Sequence, residues 1–150
     1  MKTSTSPLRP LRVLLVEDNP ADARLVQETF KESHLLVKLT VARDGFEALQ
    51  ILAEMKPPAL PDLMLLDLNL PRKSGFEVLE EIKTSETLRS IPIVIMTTSD
   101  ADKDIVRSYN LHANAFITKP VALEDFIDTI RRIEDFWLTV VRYPNRNAYG

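Results

Sequence analysis

The stretch DLMLLD, from Asp62 to Asp67, places four consecutive apolar residues between two carboxylates. With Pro61 before it and Pro71 shortly after, it reads as a short strand buried in a core. Three further runs read the same way: Leu11 to Val16, Ile93 to Met96 and Ala115 to Thr118. Leu36 to Val41, where Lys38 and Thr40 alternate with apolar residues, supplies a fifth strand.

Helical spacing fills the intervals. Ala21, Leu25, Val26 and Phe30 share one face, as do Ala48, Leu49 and Leu52, and then Phe76, Leu79 and Ile82. A short polar helix is expected from Asp102 to Tyr109, and a long one from about Leu123. Asn19-Pro20 puts a side-chain cap ahead of a proline at the first helical position, and Ser99 or Asp100 can cap the helix after the fourth strand. Five strand–helix repeats predict an α/β fold: a doubly wound, five-stranded parallel sheet with helices on both faces. The domain is expected over residues 11–141, with a flexible N-terminal segment at 1–10 and a C-terminal tail at 142–150.

Composition narrows the function. Hydrophobic residues make up 45% of the 150 and charged residues 27%, as in ordinary globular domains. Nineteen Lys and Arg against 22 Asp and Glu leave a net charge of −3, without the basic excess that phosphate-neutralising domains carry. Nucleic acid is not an expected partner. The absence of cysteine excludes disulfides, thiolate metal sites and thiol nucleophiles, and suits a cytoplasmic location. MKTSTSPLRP lacks an apolar signal region, and no apolar run reaches the length of a membrane span.

In open parallel sheets, ligands bind outside the carboxyl ends of the strands. The first run ends in Glu17 and Asp18, the third in Asp67, the fourth in Thr97 and Thr98, and the fifth in Lys119-Pro120. Three carboxylates brought this close repel one another unless a cation neutralises them, and all-oxygen ligands select a hard ion, Mg²⁺ before Ca²⁺ or Mn²⁺. Mg²⁺ commonly takes one or two carboxylates plus a phosphoryl oxygen, which leaves Asp67 as the candidate nucleophile toward phosphorus. Lys119 and Thr97 would then each stabilise a phosphoryl oxygen. A lone acidic residue is more often a solvated charge, but four strand ends converging on one edge make a site.

The motifs LLVEDN, LLDLNLP with Gly75, IVIMTTS and FITKP resemble the CheY-like receiver domain of two-component response regulators, from about Leu11 to Ile133. DNPAD, the TTS run and FWLTVV are most similar to the small regulators that partner bacterial phytochromes. The resemblance implies that Asp67 accepts a phosphoryl group from a sensor histidine kinase, phytochrome-type in this case. It implies that Asp18, Asp67 and the backbone carbonyl of Asn69 bind Mg²⁺, with Glu17 acting mainly through a metal-bound water. It further implies a cis Lys119–Pro120 peptide, Thr97 and Phe116 as switch residues, and self-catalysed dephosphorylation. Two departures are visible: Glu17-Asp18 where Asp-Asp is commonest, and His112 where glycine is frequent.

Leu123, Phe126, Ile130, Ile133, Trp137 and Val140 are spaced 3, 4, 3, 4, 3 and form a stripe for the sheet. Ile127, Phe136, Leu138 and Val141 widen it beyond one contact. A symmetric homodimer using Phe136, Trp137, Val140 and Val141 is therefore expected, and the resemblance supports it. His34 and His112 read as surface residues at helix ends. Few residues follow Val141, so no output domain is expected, and signalling would run through a changed surface toward an unknown downstream protein. Two competing functions stand beside this one. A phosphohydrolase would need an acid two residues after its nucleophile, where this chain has Asn69. A phosphorylation-independent binding module would have no use for the complete acid, Thr and Lys set.

Overall fold

The computed structural model describes residues 10–33 and 35–140. The elements run β1 (Leu11–Val16), α1 (Pro20–Lys31), β2 (Val37–Ala42), α2 (Gly45–Glu54), a 3₁₀ turn (Pro57–Ala59), β3 (Leu63–Leu66), α3 (Gly75–Lys83), β4 (Ile93–Thr97), α4 (Asp102–Asn110), β5 (Ala115–Thr118) and α5 (Leu123–Asp135). A π-helical turn, Phe136–Val140, continues the last helix. All four strand pairings are parallel and the order is β2-β1-β3-β4-β5, the doubly wound arrangement predicted. No helix among the described residues is long and apolar enough to cross a membrane.

The two-residue period of the strands divides the core into two layers. Leu14, Val16, Met64, Leu66, Ile93 and Ile95 face Leu52, Val78, Leu79 and Ile82 of α2 and α3. Val13, Leu15, Leu63, Leu65, Val94 and Met96 face Val26 and Phe30 of α1 and Phe126, Ile130 and Ile133 of α5. Both faces of β1, β3 and β4 are covered, which is why these runs read as almost wholly apolar, with Arg12 near the start of β1 and Thr97 at the end of β4.

Local chemistry sets the ends of the elements. Asn19 caps α1, its Oδ1 accepting from the backbone N–H groups of Ala21 and Asp22, with Pro20 behind it. Ser74 and Glu77 form a reciprocal capping box on α3 that the sequence reading missed. The Ser74 N–H bond holds the Glu77 carboxyl below its ordinary range. α4 ends with Ala113 N–H bonded to Ser108 O and His112 N–H to Tyr109 O, a Schellman closure in which His112 takes φ 72° at the position glycine favours. His112 lies at the surface as expected, whereas His34 falls outside the described residues.

Several expectations are corrected. β2 begins at Val37, one residue late, because Leu36 is exposed and contributes only its carbonyl, to Leu11 N–H. β3 begins after Asp62, whose buried carboxylate accepts from Arg12 N–H instead of continuing the strand. β4 extends to Thr97, paired with Thr118. Ser99 does not cap α4: the N-cap is Ala101, two residues later, so the Ser99 oxygen accepts only from Ala101 N–H at 3.4 Å while its hydroxyl donates to the Asp104 carboxylate. No peptide among the described residues is cis, so Lys119–Pro120 is trans. Trans is the lower-energy isomer, and it already brings Lys119 N–H to Thr97 O and its ammonium to the acidic pocket. Leu123 leaves the predicted stripe and is 57% exposed, because α5 only begins there, while Phe126, Ile130 and Ile133 are buried.

Candidate functional site

The carboxyl end of the sheet gathers the predicted residues. Val16 and Leu66 are register partners, so Glu17 and Asp67, each next in its chain, emerge side by side. Glu17, Asp67, Lys119 and Thr97 are buried, and Asp18 is exposed. One carboxylate oxygen from each of Glu17, Asp18 and Asp67 lies within 4.8 Å of the others. This is a pocket closed on the protein side and open at Asp18.

Lys119 closes the ring. Its Nζ donates to Glu17 Oε1, to Asp22 Oδ2 at 3.0 Å and to Asp67 Oδ2 at 3.2 Å, which uses all three ammonium hydrogens. The second oxygens of Glu17 and Asp67 are held by backbone: Glu17 Oε2 accepts from Asn19 N–H and Asp67 Oδ1 from Asn69 N–H, both at 3.1 Å. These two carboxylates therefore have a fixed orientation before any ligand arrives.

Electrostatics follow from this crowding. Burial pushes the Glu17 carboxyl up to about 7; the hydrogen bond and charge of Lys119 pull it back only in part, and the charge of Asp67 pushes it further. Burial alone would lower Lys119, but the Glu17 hydrogen bond, the charges of Asp67 and Glu17 and the Asp22 bond outweigh it, so the ammonium is held above its ordinary range. The pocket holds more negative charge than one lysine neutralises. Its donors are all oxygen, and a hard divalent cation fits them.

Thr97, at the end of β4, is fully buried and accepts from the Asn69 side-chain amide at 3.3 Å. Phe116 is the register partner of Ile95 and packs half-buried against the α2–α3 side of the core. Phe136 is 52% exposed and meets Trp137 edge-to-face, with Trp137 packed on the α1–α5 side of the core. The side chain of Val140, and Val141 altogether, fall outside the description.

Two residues were missed. Asp22 reaches Lys119 from the first turn of α1; the signal was its position three residues after the Asn19 cap, which points it back over the strand ends. Gly75 figured only as part of a motif, yet a Cβ there would stand 2.2 Å from the Asp67 carbonyl oxygen.

A fold of this order, with this carboxylate–lysine–threonine set at its carboxyl edge, defines a receiver. The family model described as the response regulator receiver domain matches residues 13–131, and the chain belongs to that family. Members take a phosphoryl group on an aspartate, are partnered by histidine kinases and bind Mg²⁺ or Mn²⁺ at an acidic pocket. Response regulator Rcp1 of Synechocystis sp. is 46% identical over 138 residues, covering 90% of this chain and 94% of that protein. The crystal structure of the Mn²⁺-bound form of Rcp1 superposes with a TM-score of 0.84 at 45% identity, covering 90% of this chain and 99% of that one. The phosphorylated cyanobacterial phytochrome response regulator RcpA gives 0.85 at 44% identity, covering 91% and 99%.

Proposed function

We propose that Asp67 is the phosphoacceptor of a phosphorylation-controlled switch, and that its donor is a phytochrome-type histidine kinase in the cytoplasm. The observation that carries this is the Lys119 ammonium bonded to both Asp67 and Glu17 inside a buried acidic pocket. The likeness to RcpA and Rcp1 supports the choice of kinase.

Transfer breaks the N–P bond of a phosphohistidine and forms an acyl phosphate on an Asp67 oxygen, the imidazole keeping the electron pair of the broken bond. Asn69 N–H fixes Asp67 Oδ1 and Lys119 faces Oδ2, so the nucleophile is oriented before the donor docks. Glu17, Asp18 and Asp67, with the Asn69 carbonyl, would hold a Mg²⁺ ion, which when bound offsets charge on the transferring phosphoryl oxygens. Lys119 turns a hydrogen from Asp67 to a phosphoryl oxygen. The Thr97 hydroxyl, an acceptor from Asn69, points its own hydrogen at another; Phe116 follows it inward and changes the surface.

Asn69 and Ser99 flank the site with small polar side chains, which leaves room for an in-line water and for self-catalysed hydrolysis over less than many hours. The Asn69 amide, which donates to Thr97, does not gain or lose a proton near neutral pH, so it supplies no general acid for a phosphohydrolase. Phe136, exposed beside Trp137, is the core of a proposed homodimer contact.

The test is intact mass after incubation of wild type and Asp67→Asn with a small acyl phosphate, with and without Mg²⁺. Only wild type with Mg²⁺ is expected to gain one phosphoryl group. Modification of Asp67→Asn, or of neither protein, refutes the assignment.

A further inference from the structure

We infer that Asp22 is a positioning residue for phosphoryl transfer: it is the anchor that holds the Lys119 ammonium in place when the other two carboxylates change partners. This rests on the reading of Asp67 as the phosphoacceptor.

Lys119 spends its three hydrogens on Glu17, Asp22 and Asp67. Two of those partners belong to the group of converging carboxylates that a divalent cation fits, and Asp22 does not. A bound cation would draw charge from Glu17 and Asp67, and phosphorylation makes one Asp67 oxygen the bridging oxygen of an acyl phosphate. Both events weaken the hold on Lys119 at the moment its ammonium is needed beside the phosphoryl oxygens. Asp22 keeps its full charge through both steps.

Its geometry suits an anchor. The Asp22 backbone N–H is bonded to the Asn19 cap at 3.1 Å, in the first turn of a helix whose Val26 and Phe30 are buried in the core. The carboxylate is a quarter exposed at the rim of the pocket, yet it reaches the buried ammonium at 3.0 Å. With one hydrogen held by Asp22, the other two can turn from Glu17 and Asp67 toward the phosphoryl group while the ammonium itself stays in place. Without Asp22, the long lysine side chain regains rotamers that lead away from it.

Wild type, Asp22→Asn and Asp22→Ala are phosphorylated with a small acyl phosphate at saturating Mg²⁺, with Asp67→Asn as the blank, and uptake is followed by intact mass. The ¹⁵Nζ resonance of Lys119 is recorded in the same Mg²⁺-loaded proteins. Asp22→Ala is expected to react about tenfold more slowly, the loss of one charge-assisted bond. The nearly isosteric Asp22→Asn, which guards against a folding failure, is expected to fall between. The Lys119 resonance, sharp in wild type, broadens in the same order. Equal or faster reaction in the variants overturns the inference, as does slower reaction with an unmoved Lys119 resonance. If wild type takes up no phosphoryl group, the phosphoacceptor reading fails; if wild type reacts and the variants match it, the role of Asp22 alone fails.

Discussion

Gly75→Ala tests whether the acidic pocket is positioned by backbone contact as well as by side chains. Gly75 is the first residue of α3, and a Cβ built on it would lie 2.2 Å from Asp67 O, 2.7 Å from Leu68 Cα and 3.0 Å from the Asp67 carbonyl carbon. Ordinary contact begins at 3.4 Å, so helix and strand must separate by about 1.2 Å, the difference between those distances. Neither side yields readily. Gly75 N–H is bonded to Leu68 O at 3.0 Å, Asp67 N–H to Val16 O at 3.1 Å, and α3 is pinned by fully buried Val78, Leu79 and Ile82. Overpacking costs roughly 1–3 kcal/mol, and two opposed backbones place this case near the upper end. The displaced atom belongs to Asp67, the proposed phosphoacceptor, and a shift of about 1 Å in a reacting group can cost about a hundredfold in rate. Urea unfolding and phosphoryl uptake by mass are the assays. A variant within about 0.5 kcal/mol of wild type that is phosphorylated at the wild-type rate would refute the reasoning.

Asn19→Ala is expected to destabilise the protein by about 1 kcal/mol in urea unfolding, by orphaning the N–H groups of Ala21 and Asp22, while Asn19→Asp changes little. Glu77 has a depressed pKa, held down by the Ser74 N–H, so its support for folding is present above the unfolded carboxylate pKa and is lost as pH falls through the folded value. The stability gap between wild type and Glu77→Gln, present at neutral pH, should therefore close as the pH is lowered through the folded-state pKa; a gap independent of pH counts against this. Phe136→Asp should convert a dimer to a monomer in sedimentation, and a wild type that is already monomeric removes the proposed contact.

What the sequence disclosed depended on how local the signal was. The strand runs were legible because β1, β3 and β4 are covered on both faces and so carry at most one polar residue each, Arg12 near the start of β1 and Thr97 at the end of β4. The Asn19-Pro20 start was legible for the same reason, cap and proline being adjacent in the chain. Ser99 misled because the helix begins two residues further on than the hydroxyl pattern suggests, with Ala101 as N-cap, which leaves the Ser99 hydroxyl to donate to the Asp104 carboxylate. The site residues at strand ends could be read by counting strands. Asp22 and Gly75 could not, since each acts across a contact between elements: Asp22 with Lys119, 97 positions away, and Gly75 with the turn after β3.

The Glu17 departure from the commoner aspartate is explained by the same contacts. Its extra methylene lets one carboxylate span from Asn19 N–H, at the mouth of α1, to the Lys119 ammonium in the floor of the pocket. Glu17 is thereby buried and pushed up to about 7, while Asp18 stays exposed at the opening. The two acids have divided their work, one completing the ring around Lys119 and the other facing incoming ligands. A cation entering past Asp18 would relieve the charge that Glu17 holds at a cost, and would loosen Glu17 from Lys119 as it did so. The ammonium would then be released from one side only, because Asp22 stands outside the group of carboxylates that converge on the cation. Metal entry and lysine release would thus be coupled through Glu17, and on the proposed role of Asp22 the direction of that release would be set by its carboxylate.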